Sequence, residues 1–320
     1  MGSWHTRPRV LRRRRQAAGC EGRRQEVTPW SLVSYRTTSG EDRAGALAGE
    51  RVVELSVAAC SVLELIEGWD AVEPELKKFD PDSAPHVNDA ALQLPLRYPR
   101  KVLCSGTNYY AHMREMKVSR AAAARPYFFL KPPTTALIGP GEPIVVPADP
   151  AAKVDWEAEL AVVIGRRARH VSEADALDYV AGYSAINDVS LRGPHRVQHP
   201  IGEPFQWDWL ASKGADRSTP LGPGIRPAFQ VADPQRLDLR LWVNGNLKQQ
   251  ASTSDMIDDV AVLIAAASAI LTLEPGDVIA TGTPDGVGLP RGEFLRPGDV
   301  VEMEVADFGR LTNPVMAEVS

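Results

Sequence analysis

Apolar and polar positions in this chain change their rhythm several times, and each change predicts an element. From Trp30 the first regular run, 31–36, reads as a strand. Glu50-Arg51-Val52-Val53-Glu54-Leu55 mixes polar and apolar positions in the manner of a second, half-buried strand. Residues 61–68 predict a short helix. The stretch 74–99 is broken by Pro81, Pro85, Pro95 and Pro99 and reads as a linker with extended pieces. Further strands are predicted at 101–105, 136–138, 143–146, 157–164 and 237–243. The last of these runs Leu239-Arg240-Leu241-Trp242-Val243 into Asn244-Gly245, a hairpin signal, because a type I′ turn needs positive φ at both central residues. Strands at 277–281 and 299–305 each follow a Pro-Gly turn. Two helices are predicted, at 172–180, with Ser172 as N-cap and Asp175 three residues on, and at 255–271.

Many short strands, few helices and no βαβ rhythm predict an α+β, β-dominated fold. Domains are expected as an Arg-rich, disordered extension at 1–26, a small N-terminal domain with its linker at 27–95, and a catalytic domain at 96–320. No internal repeat or low-complexity segment is present.

Composition changes this picture little. The chain is 44% hydrophobic, ample for a core, and its net charge of −5 gives no reason to expect nucleic-acid binding. Cys20, Cys60 and Cys104 match neither a disulfide framework nor a zinc pattern and suit a reducing, cytoplasmic compartment. The longest apolar stretch, 260–273, is Ala-rich, carries Ser268 and Thr272, and falls short of the ~18 residues of a membrane span. Residues 1–26 hold eight arginines against Glu21 and Glu26. They lack the apolar segment of a secretory signal and the Ser-rich pattern of a transit peptide, so an unstructured extension is expected.

Candidate chemistry begins at Asp155-Trp156-Glu157-Ala158-Glu159-Leu160. Residues two apart share a strand face, so Glu157 and Glu159 project side by side. Two adjacent carboxylates repel unless a proton or cation lies between them, and a hard cation takes oxygen ligands. A solvated strand edge would carry the same spacing. Asp188, in Ala185-Ile186-Asn187-Asp188, could complete a three-carboxylate site of the kind Mg²⁺ or Mn²⁺ favours. Arg192 and Lys213 could hold an anionic substrate, or form ordinary surface pairs. In Asn108-Tyr109-Tyr110-Ala111-His112-Met113-Arg114-Glu115, His112 and Glu115 face the same way on a helical turn, where a carboxylate can orient an imidazole and raise its basicity. Many such pairs are inert. Thr281-Gly282-Thr283-Pro284-Asp285-Gly286 could offer N–H groups and a hydroxyl to a carboxylate, but matches neither a phosphate-binding nor a dinucleotide loop.

In this order, GTNYYAHMRE, PYFFLKPPTTALIGPGEPIVVP, DWEAELAVVIGRRAR, AGYSAINDVSLR, LRLWVNGNLKQQ and LEPGDVIATGTPDGVG resemble the fumarylacetoacetate hydrolase family, across about 96–315. The resemblance implies a mixed β-sandwich roll, a homodimer, and Mg²⁺ or Mn²⁺ held by Glu157, Glu159 and Asp188. It implies His112 and Glu115 on a lid as the water-activating pair, with Lys213 beside them as a catalytic cation. It also implies Arg192, Thr283 and Tyr109 at the 2-oxo acid end of a small substrate. The expected reaction is C–C hydrolysis of a 2,4-dioxo acid of the acylpyruvate type, with the metal as Lewis acid. Alternatives are a 2-oxo acid decarboxylase, a 2-hydroxydienoate isomerase or hydratase, and a non-catalytic binding protein of the same fold. One departure stands out: relatives continue Asp-x-Gln after the arginine, whereas this chain has Gly193-Pro194-His195 and then an aromatic-rich stretch with Phe205, Trp207 and Trp209.

Overall fold

The computed structural model describes residues 28–57, 61–121 and 124–319. The extension at 1–26, Cys20 and Cys60 lie outside the described residues. Among the described residues two large sheets dominate the architecture, beside a short pair of Val154–Asp155 with Ser190–Leu191. One has eleven strands, along whose main path Arg51–Glu54, Asp42–Ala48, Ser31–Arg36, Thr219–Pro227, Val180–Asn187, Ala158–Ile164, Val278–Ala280, Val102–Gly106 and Tyr127–Lys131 lie side by side. The other has five: Asn246–Ser252, Asp238–Val243, Val300–Val305, Arg310–Ala317 and Ile144–Val146.

Ala158–Ile164 is central and buried at every residue, so both its faces are used. Leu160, Val162 and Ile164 pack with Leu239, Leu241 and Met303 of the second sheet and with Val260 and Ile264 of the Val260–Ile270 helix. Ala161 and Val163 face the other way, against a core shared with Leu32, Val62, Leu65 and Trp69. This is the period-2 alternation of a strand sandwiched between two cores.

The N-terminal segment has a small cluster of its own, Val33, Tyr35 and Val52, and shares a larger one with the rest of the chain. Leu32 pairs with Ile225, which joins its sheet to the catalytic one, and Trp30 and Leu32 share a cluster with Ala161 and Ile186. The expected linker contributes too. The Trp69–Leu76 helix runs through Pro74, and Ala91–Gln93 pairs with the 34–36 end of the first strand.

The Asn244-Gly245 hairpin forms as expected, with φ of 51° and 72° at the two positions. The helix expected at 172–180 does not. Only a 3₁₀ turn forms, Ala176–Tyr179. The Ser172 hydroxyl donates to Asp175 instead of capping a helix, and Val180 is drawn into pairing with Ile164. Strand pairing here outweighs local helix preference. The helix expected at 255–271 starts later, at Val260, because the carboxylate of Asp259 accepts the Val262 N–H as N-cap.

Candidate metal centre and active site

The carboxylates are brought together by strand register. The Glu157 N–H donates to Asn187 Oδ1 at 2.9 Å, and the Asp188 N–H donates to the Glu157 carbonyl at 2.9 Å. Asp188 therefore lies across from Glu157 at the end of the paired strands, and Glu159 follows two residues on along the same face. All three are buried, and one oxygen from each lies within 4.8 Å of the others.

Buried charge demands partners. Lys213 Nζ lies 2.8 Å from Glu157 Oε2 and 2.7 Å from Asp188 Oδ2. Lys131 Nζ lies 2.6 Å from Asp188 Oδ1 and also donates to the carbonyls of Val189 and Ser218. Arg192 donates to Asp155 Oδ2 at 2.9 Å and to Glu157 Oε1 at 2.6 Å. Burial works against the charge of Glu157, but Lys213 and Arg192 overcome it and hold this carboxyl well below the usual range. Burial likewise opposes the charge on Lys213, and Asp188 and Glu157 more than restore it.

Glu159 stands differently. It accepts the Gly282 N–H at 2.6 Å, and no ammonium or guanidinium touches it among the described residues. Burial, then the charges of Asp188 and Glu157, raise its proton affinity well above that of an ordinary glutamate. Asp155, Glu157, Glu159 and Asp188 make four carboxylates against the three cations Lys131, Arg192 and Lys213, so the fourth carboxylate needs either a proton or a further cation. An all-oxygen donor set in which a proton can be exchanged for a cation fits a hard divalent ion such as Mg²⁺ or Mn²⁺.

Of the His–Glu pair, His112 lines a cavity shared with the carboxylates, and Glu115 stands behind it. His112 lies on the Tyr110–Glu115 helix, with Nδ1 3.4 Å from Glu115 Oε2. Glu115 is itself held by the Gly286 N–H, at 3.0 and 3.1 Å to its two oxygens. Gly286 has φ of +102°, and a Cβ there would lie 2.2 Å from the Lys248 carbonyl. Only glycine fits that close approach. Burial disfavours the Glu115 charge, but the bonds from His112 and Gly286 win and lower its titration. The helix is anchored from behind by Asn108, whose side-chain amide donates to the carbonyls of Thr281 and Asp258.

A cavity of about 500 Å³ opens over the carboxylates. Its wall includes His112, Glu157, Glu159, Asp188, Arg192, Lys213 and Thr283, which brings most of the expected site residues to one place. Three of the residues expected at the substrate are placed differently from a free contact. Tyr109 is fully buried, with its hydroxyl unpartnered, and is not part of the wall; its backbone bridges Met256 instead. The hydroxyl of Thr283 is taken up by Gln249 Nε2 and the Ala158 carbonyl. Arg192 lines the cavity, but its guanidinium is committed to Asp155 and Glu157.

Lys131, Asp155 and Gln249 were not singled out from the sequence. Lys131 carried one signal, a lone cation closing the apolar run Tyr127-Phe128-Phe129-Leu130. Asp155 sits beside the Glu pair, yet nothing local indicated that it would accept the N–H groups of Gly288 and Leu289 as well as Arg192.

Residues 101–316 match the family model for the fumarylacetoacetate hydrolase C-terminal domain. The mitochondrial oxaloacetate tautomerase fahd2 of Xenopus laevis is 39% identical over 263 residues, covering 80% of this chain and 79% of the relative. Among solved structures, maleylpyruvate hydrolase from Sphingobium sp. SYK-6, in complex with manganese (II) ion and pyruvate, superimposes with a TM-score of 0.72 at 30% identity, over 90% of this chain and 100% of that one. The 2-hydroxyhepta-2,4-diene-1,7-dioate isomerase of Mycobacterium marinum gives 0.67 at 32% identity, over 91% and 100%. No helix among the described residues is long and apolar enough to cross a membrane. Family model, relatives and fold agree: this chain belongs to the fumarylacetoacetate hydrolase family.

Proposed function

We propose that this chain is a divalent-metal enzyme that cleaves a C–C bond in a small 2,4-dioxo acid of the acylpyruvate type. The observation that carries this reading is one cavity lined by both a buried carboxylate triad and His112, whose ring is backed by Glu115. Glu157, Glu159 and Asp188 would hold Mg²⁺ or Mn²⁺, which when bound polarises the 2-oxo acid carbonyl and offsets the charge of its enol. His112, steadied by Glu115, takes a proton from water, which attacks the distal carbonyl carbon. The bond between that carbon and the adjacent methylene then breaks. The acyl part leaves as a carboxylic acid, and the electron pair stays on the pyruvate fragment as its enolate. A proton returned to carbon completes pyruvate. Lys213, at the cavity wall, supplies positive charge for the developing oxyanion.

A second reading, keto–enol tautomerisation of an oxaloacetate-like acid, is supported by the 39% identical tautomerase. It uses the same base without water. The reading also includes a cytoplasmic homodimer. In support of the homodimer alone, the edge strand Tyr127–Lys131 exposes Tyr127 and Leu130, with Tyr127 against Trp209.

One assay separates the two reactions. Acylpyruvates, enol-oxaloacetate and 2-hydroxydienoates are offered with Mg²⁺ or Mn²⁺, following enol absorbance and products. Equimolar pyruvate and carboxylic acid support hydrolysis. Loss of enol absorbance without fragments supports the tautomerase.

A further inference from the structure

The departure after Arg192 builds a wall that the proposed chemistry leaves without a task. Backbone bonds fold 195–208 back on itself: Arg196 bridges Trp207, the Val197 N–H donates to the Gln206 carbonyl, and the Asp208 N–H donates to the His195 carbonyl. This lays His195, Arg196, Trp207 and Trp209 along one side of the cavity. The His195 ring lies between Trp207 and Trp209, with centroids 5.1 and 4.7 Å away. Its Nδ1 is buried and has no hydrogen-bond partner. A buried polar atom left unpaired is costly and calls for a ligand.

The cations of the wall divide sharply. Arg192 and Lys213 are committed to the carboxylate cluster. Arg196, an exposed residue at the cavity mouth, has no ion pair or hydrogen bond among the described residues; its guanidinium carbon lies 5.9 Å from the Trp207 ring centre, within cation–π reach. Arginine in such a place is suited to fork-like recognition of a carboxylate. His195 can assist as a neutral donor, since burial, then Arg192 and Lys213, push its titration down.

We propose that Arg196 and His195 form a second anion subsite, which reads a carboxylate at the far end of the substrate. The substrate class is then a 2-oxo acid with a distal carboxylate, rather than one with an alkyl tail. This rests on the 2-oxo acid reading of the carboxylate triad.

The test compares two ligands of equal carbon count, 2-oxoglutarate and 2-oxopentanoate, by calorimetry on the Mn²⁺-loaded protein. They share the 2-oxo acid end and differ only in a carboxylate against a methyl. The wild-type protein is expected to bind 2-oxoglutarate about tenfold more tightly. Arg196→Gln should erase most of that preference while leaving 2-oxopentanoate affinity unchanged, and Arg196→Lys should restore part of it. Equal binding by the wild type, or a preference that survives Arg196→Gln, overturns the subsite alone. If neither acid binds the loaded protein, the 2-oxo acid reading falls and the subsite with it.

Discussion

The buried ammonium of Lys131 lies 2.6 Å from Asp188 Oδ1, on the carboxylate oxygen that Lys213 does not touch. Asp188 is thus gripped at both oxygens by lysines, and Lys131 also ties it to the backbone at Val189 and Ser218. Removing Lys131 would leave Asp188 with Lys213 alone and would leave the buried Val189 and Ser218 carbonyls without this donor. Lys131→Met is expected to destabilise the fold by about 3–5 kcal/mol, read as a lower urea midpoint at unchanged slope. A loss below 1 kcal/mol, the worth of a surface pair, would contradict a structural role for this pair.

The metal requirement is tested at the ligands. Glu157→Ala and Asp188→Ala should each abolish turnover, and EDTA should do so reversibly, with activity returning on Mg²⁺ or Mn²⁺ addition. Full activity in chelator-treated protein would exclude the metal from the reaction.

His112 and Glu115 should fail as one unit. His112→Ala is expected to lower kcat by roughly 10²–10⁴-fold, the usual worth of a positioned general base. Adding Glu115→Ala should then cost little more, because residues that act together are non-additive. Metal affinity, measured by calorimetry, should stay near that of the wild type. Near-normal hydrolysis by the His112 variant would eliminate it as the base.

Proton competition at Glu159 sets a pH dependence. In the metal-free protein this carboxyl is raised, by burial and then by Asp188 and Glu157. Below its raised value it is protonated while an unfolded glutamate, at about 4.3, is already ionised. The folded metal-free state therefore binds the extra proton, and its stability falls as pH rises through that window. Metal must displace the same proton, so Mn²⁺ affinity should climb with pH across the window and level off above it. Calorimetry in two buffers of different ionisation enthalpy should register proton release within the window. Affinity independent of pH would show that Glu159 is not the competing group.

Gly286 gives a backbone test. Gly286→Ala places a Cβ where 2.2 Å separates it from the Lys248 carbonyl, at a φ of +102°. The loop must shift and withdraw its N–H from Glu115. Turnover should fall while the metal site keeps its affinity. Unchanged kcat would show that Glu115 does not depend on this anchor.

Much of this protein could be read along the chain, because strand periodicity and turn chemistry are local. Two carboxylates two apart before an apolar run had to share a face, and Asn244-Gly245 had to turn the chain back. The order of the motifs carried the family, and with it Asp188 as the third carboxylate and His112 with Glu115 as a pair. What local pattern could not carry was the pairing of charges across the fold. Lys131 lies 57 residues from Asp188, and only strand register brings them together. The same register committed Arg192 to Asp155 and Glu157, sealed Tyr109 away from the cavity, and turned 172–180 from helix to strand entry. It also fused the N-terminal strands to the catalytic sheet at Leu32 and Ile225. A side chain's face is set by its neighbours in sequence, whereas its electrostatic partner is set by whichever distant strand packs beside it. That is why the carboxylates were legible in the sequence, and why the cations that balance them and the subsite at Arg196 were decided by the tertiary structure.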